Sequence, residues 1–134
     1  MIAKRFWRTM FAVLIVIVTY ASLTPDTENL DQGGGFVKWL ASILLGSDEH
    51  SDKIGHFLAY AALGFCVLPG RLALLGQLAL TFFALFVYGC LMEGLQGFSV
   101  ERQMSTLDAV ANTTGLIAGG VASLVFERAL GQRA

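Results

Sequence analysis

Residues 72–92 read LALLGQLALTFFALFVYGCLM, without one Asp, Glu, Lys or Arg. A bilayer core about 30 Å thick is crossed by roughly 20 apolar residues in α-helix, so this stretch assigns the chain to a membrane. Three more stretches, 9–25, 54–70 and 109–126, are equally free of those four residue types. Backbone amides in hydrocarbon must be satisfied within the segment, and the stretches are too long and too continuously apolar for barrel strands. The expected fold class is therefore all-α: a small polytopic membrane helical bundle of four transmembrane helices, spanning about 8–25, 53–69, 72–93 and 106–126. The composition agrees. Of 134 residues, 55% are hydrophobic and 14% charged, where soluble domains are about a quarter charged, and the mean hydropathy is +0.65. That length allows one domain, residues 1–134. Nine Lys and Arg against ten Asp and Glu give a net charge of -1. Such sparse, balanced charge excludes a nucleic-acid surface, which needs clustered basic residues.

Four crossings with both ends on one face put Lys4, Arg5, Arg8, Arg71, Arg128 and Arg133 on that face. Lys38, Lys53 and Arg102 fall on the other, so the positive-inside rule places both termini in the cytoplasm. Lys4, Arg5 and Arg8 with Thr19-Tyr20-Ala21 also resemble a cleavable signal peptide. The length of the uncharged run and the interfacial Trp7 favour a retained helix, and either reading leaves the later connections on the same side. Pro25 ends the first span and Gln32-Gly33-Gly34-Gly35 is a break. Beyond it Phe36, Trp39, Leu40, Ile43 and Leu44 recur at helical spacing up to Gly46. This segment is too short to span, so a short interfacial or re-entrant helix is expected in the first outer connection. Pro69-Gly70-Arg71 predicts a tight turn, which makes the second and third helices antiparallel neighbours. Ala111, Gly115 and Gly119 repeat every four residues and predict a smooth strip for close helix packing. Cys66 and Cys90 fall near opposite ends of their spans, too far apart for a disulfide, and no Cys/His spacing suggests zinc.

The polar residues share a depth. The second helix runs inward with Asp52, Lys53, His56 and Tyr60 in its outer half, the last three at i, i+3 and i+7 on one face. The third ends outward at Glu93 and Gln96, and the fourth leaves inward from Ser105 with Asp108 and Asn112 in its first turns. Arg102 lies in the loop between them. Ionisable groups in membrane helices are costly and mark functional candidates. Each also has a plain structural reading. Ser105 and Asp108 fit a capping box at a helix N-terminus that favours an anion. Asn112 fits an interhelical hydrogen bond, Tyr60 an interfacial aromatic, and His56 a satisfied buried histidine. Glu93 differs, because it lies near a helix C-terminus, where the dipole disfavours an anion. It needs a cation, and Arg102, Lys53 or protonated His56 can supply one as a buried ion pair.

Asp52-Lys53-Ile54-Gly55-His56-Phe57, with Tyr60 and Gly64, then Glu93-Gly94-Leu95-Gln96-Gly97-Phe98, Arg102, Ser105, Asp108, Asn112 and Gly115, resemble the VanZ-like membrane protein family. The resemblance covers residues 52–120, about half of the chain. One departure precedes Arg102 by two residues, where many members carry Pro and this chain has Val100. The resemblance implies a small protein of the bacterial inner (cytoplasmic) membrane, in a family named for low-level resistance to the glycopeptide teicoplanin. It implies no established reaction.

Three functions are compatible with these residues. In the leading one, Lys53, His56 and Arg102 hold the anionic headgroup of a membrane lipid or lipid-linked cell-envelope precursor at the outer leaflet. Tyr60, Glu93, Gln96, Asp108 and Asn112 would then orient them and the sugar or peptide portion. Arg suits phosphate because its planar fork donates two hydrogen bonds. The second is an enzyme on such a lipid, a hydrolase or transferase, with Glu93, His56 or Asp108 as catalytic candidates and Arg102 stabilising charge on phosphate. No nucleophile elbow, His-Glu-x-x-His pair or phosphate loop supports it. The third is a structural or assembly role, with a membrane-protein partner or a second copy of the chain. His56, Glu93 and Asp108 can form a three-ligand metal site with an open position. Their positions match no ligand-spacing motif, and the sequence expectation is no metal and no cofactor.

Overall fold

The computed structural model describes residues 2–23, 43, 51–98 and 105–131. Among these residues are four α-helices and no strand: α1 (Ile2–Leu23), α2 (Ser51–Gly70), α3 (Leu78–Gln96) and α4 (Thr106–Ala129). Each is long and apolar enough to cross a membrane, as a multi-pass membrane protein requires. The interfacial or re-entrant helix expected over residues 36–46 lies outside the described residues, Ile43 apart.

The helices alternate in direction, and polar ties at their ends show it. Arg8 Nε in α1 donates to the Gly70 carbonyl at the end of α2, 2.9 Å away. Arg71, just beyond α2, pairs with Glu127 in the last turns of α4 at 3.2 Å. At the opposite end, Gln96 Nε2 in α3 donates to the Ser22 carbonyl of α1 at 3.1 Å. The start of α1 and the end of α4 therefore share one face of the bundle.

α2 and α4 form the most intimate pair. A Cβ on Gly115 would collide with the Phe57 carbonyl, one on Gly119 with the Ala61 carbonyl, and one on Gly64 with the Leu116 carbonyl. The small-residue strip of α4 thus packs backbone against backbone, and its partner is α2. Around this seam Tyr60, Leu63, Val67 and Leu68 of α2 join Val18 of α1, Leu85 of α3 and Leu116 of α4 in the buried core. The outer surface stays apolar, with Val16 67%, Phe83 63% and Ile117 60% exposed. Side chains of that kind suit a surface solvated by acyl chains.

The connection between α2 and α3 is longer than Pro69-Gly70-Arg71 predicts. Arg71 adopts a left-handed conformation with φ 50. Its N–H bonds to the Leu68 carbonyl at 2.9 Å while the N–H of Leu72 reaches the Val67 carbonyl at 3.0 Å. That is a Schellman closure of the helix. Leu75 and Gly76 are also left-handed, with φ 49 and 80. The Thr81 hydroxyl then fastens the loop, accepting from the Leu74 N–H at 2.9 Å and donating to the Leu72 carbonyl at 2.5 Å. Helix α3 consequently starts at Leu78, although hydropathy runs unbroken from Leu72. Apolar composition reports solvent preference and is blind to φ. Cys66 is buried and Cys90 exposed, and both are free thiols.

Candidate functional site

Three helix ends build the polar site. α2 contributes Lys53 and His56 from its first turns, α3 contributes Glu93 from its last, and α4 contributes Asp108 and Asn112, one turn apart, from its first two. Ser105 is the N-cap of α4; its hydroxyl accepts from the Asp108 N–H at 3.4 Å. The backbone amide of Ser105 also faces the Glu93 carboxylate, which brings the positive end of the α4 dipole toward that anion.

Two linked chains of contacts result. Lys53 Nζ lies 2.7 Å from Asp52 Oδ2 and 3.2 Å from Asp108 Oδ1. Asn112 bridges the other pair: its Nδ2 donates to Glu93 Oε1 at 3.2 Å, and its Oδ1 lies 3.1 Å from His56 Nδ1. Because the Asn112 amide is turned with Nδ2 toward Glu93, its oxygen is the acceptor and His56 Nδ1 carries the proton that meets it. His56 Nδ1 is also 3.7 Å from Glu93 Oε1. Glu93 and Asn112 are each 3% exposed and Asp108 7%, so these groups are withdrawn from solvent. His56 and Lys53 are partly exposed.

Satisfaction of this network is incomplete. Glu93 Oε2, Asp108 Oδ1 and the Tyr60 hydroxyl are buried without a hydrogen-bond partner, the Asp108 oxygen meeting Lys53 only as an ion pair. Among the described residues of the cluster, the carboxylates of Asp52, Glu93 and Asp108 face a single permanent cation, Lys53. Buried acceptors without donors are expensive. The site therefore has capacity for a donor or a cation.

Not every residue singled out in the sequence joins the cluster. Gln96 turns away to α1 and serves as an interhelical tie. Tyr60 is fully buried one turn below His56, its ring against Gly89, where a Cβ would stand 3.1 Å from the ring edge, and 6.2 Å from the Tyr88 ring. It is a core residue with a stranded hydroxyl, where an interfacial aromatic was the plain expectation. Of the three cations named for Glu93, His56 stands beside it together with the Asn112 amide, Lys53 goes to Asp108 and Asp52, and Arg102 lies outside the described residues.

The opposite end holds an ion pair that the sequence reading passed over. Glu127 is 2% exposed and faces Arg71. The signal was present, because Glu127 sits at a helix C-terminus, the same unfavourable position for an anion that drew attention to Glu93. Arg71 and Glu127 clamp α2 to α4 far from the cluster.

Chemically, the cluster can accept hydrogen bonds from hydroxyl or amine groups, hold a cation between its carboxylates, or take a proton at His56. No family model, curated protein or solved structure matches this chain.

Proposed function

We propose that this chain is a VanZ-like protein of the bacterial inner membrane, with both termini cytoplasmic. In this reading it binds the headgroup of an anionic lipid or lipid-linked cell-envelope intermediate at the outer leaflet. One observation carries it: Lys53, His56, Glu93, Asp108 and Asn112 converge at one end of an otherwise apolar bundle and leave buried oxygens unsatisfied. A headgroup that joins phosphate to a sugar or amine matches both halves of the cluster. Its phosphate pairs with Lys53 and Arg102, and its hydroxyl or amine protons satisfy the free acceptors of Glu93 and Asp108. The uneven distribution of Lys and Arg supports the orientation, and the resemblance of residues 52–120 supports the family.

Native mass spectrometry of the protein released gently from detergent tests this. A stoichiometric anionic lipid is expected on the parent protein and is expected to be lost with Lys53→Ala and Arg102→Ala. A bare parent protein, or equal retention by both variants, refutes the proposal.

A second reading, an enzyme acting on such a lipid, is favoured by one contact. Asn112 holds the proton on His56 Nδ1 and so leaves Nε2 as the nitrogen able to accept a proton from a substrate. Turnover of a lipid-linked phosphate substrate that vanishes with His56→Gln while lipid retention persists would select it.

A further inference from the structure

We infer that His56, Glu93 and Asp108 form a binding site for a single divalent metal ion. Each offers one ligand atom, and the three atoms lie within 4.8 Å of one another. Ligands roughly 2.0–2.2 Å from an ion such as zinc stand close to 3.5 Å apart in a tetrahedron. The three side chains therefore have to rotate inward for the cluster to close around an ion. The donor set, one imidazole and two carboxylates with room for further ligands, is of the kind that transition-metal ions accept.

Two independent features point to an ion. Glu93 is 3% exposed, yet its Oε2 has no hydrogen-bond partner, and Asp108 Oδ1 has none beyond the ion pair with Lys53. Buried carboxylate oxygens left open in this way are unmet ligand positions. Glu93 and Asp108 also bring two buried carboxylates together, and a divalent ion between them offsets that like-charge contact. Lys53 does not block the site, because its shorter contact, 2.7 Å, is to Asp52 on the open side. It can remain there when the ion takes Asp108. Asn112 stays in place beside both Glu93 and His56, positioning two of the three ligands.

This site stands on its own contacts and does not depend on the headgroup reading. If both hold, the ion takes the open oxygens of Glu93 and Asp108 in place of the headgroup's hydroxyl or amine protons, and it adds positive charge for the phosphate beside Lys53.

The test uses full-length protein in detergent, stripped with a chelator and dialysed against Zn²⁺ or Mn²⁺, with ion content read by elemental analysis and stability by thermal unfolding. The parent protein is expected to take up about one ion per chain and to gain melting temperature on doing so. Glu93→Gln and Asp108→Asn, which keep side-chain shape, and His56→Ala are expected to lose both effects. Cys90→Ser is expected to keep them, since that thiol lies outside the site. Lys53→Ala separates the two proposals, because removal of a competing ammonium group strengthens ion uptake while it weakens retention of an anionic lipid. A parent protein that takes up neither ion, or uptake unchanged in all three ligand variants, overturns the inference. Ion uptake without lipid leaves it standing and removes the headgroup reading.

Discussion

Glu93 concentrates the physical tension of the molecule. It is buried at the end of α3, where the helix dipole opposes its charge, and near a second buried carboxylate, Asp108. Its described support is one amide hydrogen from Asn112, a histidine at 3.7 Å and the facing amide of Ser105. Glu93→Gln keeps an oxygen that can accept from Asn112 and relieves repulsion from Asp108. Its thermal stability without ligand should stay within about 1 kcal/mol of the parent. Glu93→Ala leaves the Asn112 amide without its acceptor and opens a void, and should cost roughly 1–3 kcal/mol. Reversible unfolding followed by circular dichroism compares the two. A Gln variant that fails to fold would show that the charge is there to hold the helices together. A stable Gln variant without ion or lipid would assign the charge to a ligand.

At the scale of elements, the α2–α4 seam carries the bundle. Gly115 and Gly119 face the carbonyls of Phe57 and Ala61 so closely that even one added carbon overlaps backbone. Carbonyl oxygens cannot rotate away as side chains do, so the helices themselves would have to separate. Gly119→Ala should therefore destabilise the protein by about 1–3 kcal/mol, and Gly119→Leu should prevent the seam from forming. Gly94→Ala is the control, since open space surrounds that position. Thermal melts in detergent decide it, and equal stability of Gly119→Ala and Gly94→Ala would show that the seam does not hold the bundle together. The seam also matters for the site. Asp108 and Asn112 lie two turns and one turn before Gly115 on α4, and Lys53 and His56 lie just before Phe57 on α2, so helix separation would pull the two halves of the cluster apart.

At the scale of the whole molecule, the alternating helices place the start of α1 and the end of α4 on one face. Tags at the two chain ends should therefore share one exposure. In right-side-out vesicles both should resist added protease, and in inverted vesicles both should be cut. Opposite behaviour of the two tags would contradict the bundle, and joint digestion in right-side-out vesicles would reverse the proposed orientation. α1 belongs to this assembly through Val18 in the core, through Ser22 bound by Gln96, and through the 2.8 Å contact of Thr19 Oγ1 with the Tyr88 hydroxyl.

The four membrane-length helices among the described residues were legible in the sequence, because hydrocarbon tolerates few charges and each of those four gaps between charges has about bilayer length. The Ser105 cap and the small-residue strip were legible too, since both depend on residues within one helical stretch. The end of α2 was legible to within a residue at Pro69-Gly70-Arg71, but the start of α3 was not. Left-handed Leu75 and Gly76 and the Thr81 hydroxyl delay that start, and they fall inside the uncharged run 72–92, where hydropathy does not register backbone conformation. For the candidate site, the sequence placed Lys53, His56, Glu93, Asp108 and Asn112 at one depth, because depth follows from counting residues along each helix. Partners were beyond its reach. Only the tertiary structure decided that Asn112 bridges His56 and Glu93, that Lys53 goes to Asp108, and that Gln96 leaves the cluster for Ser22. Those choices depend on the rotation of each helix about its own axis, and the glycine seam fixes that rotation for α2 and α4.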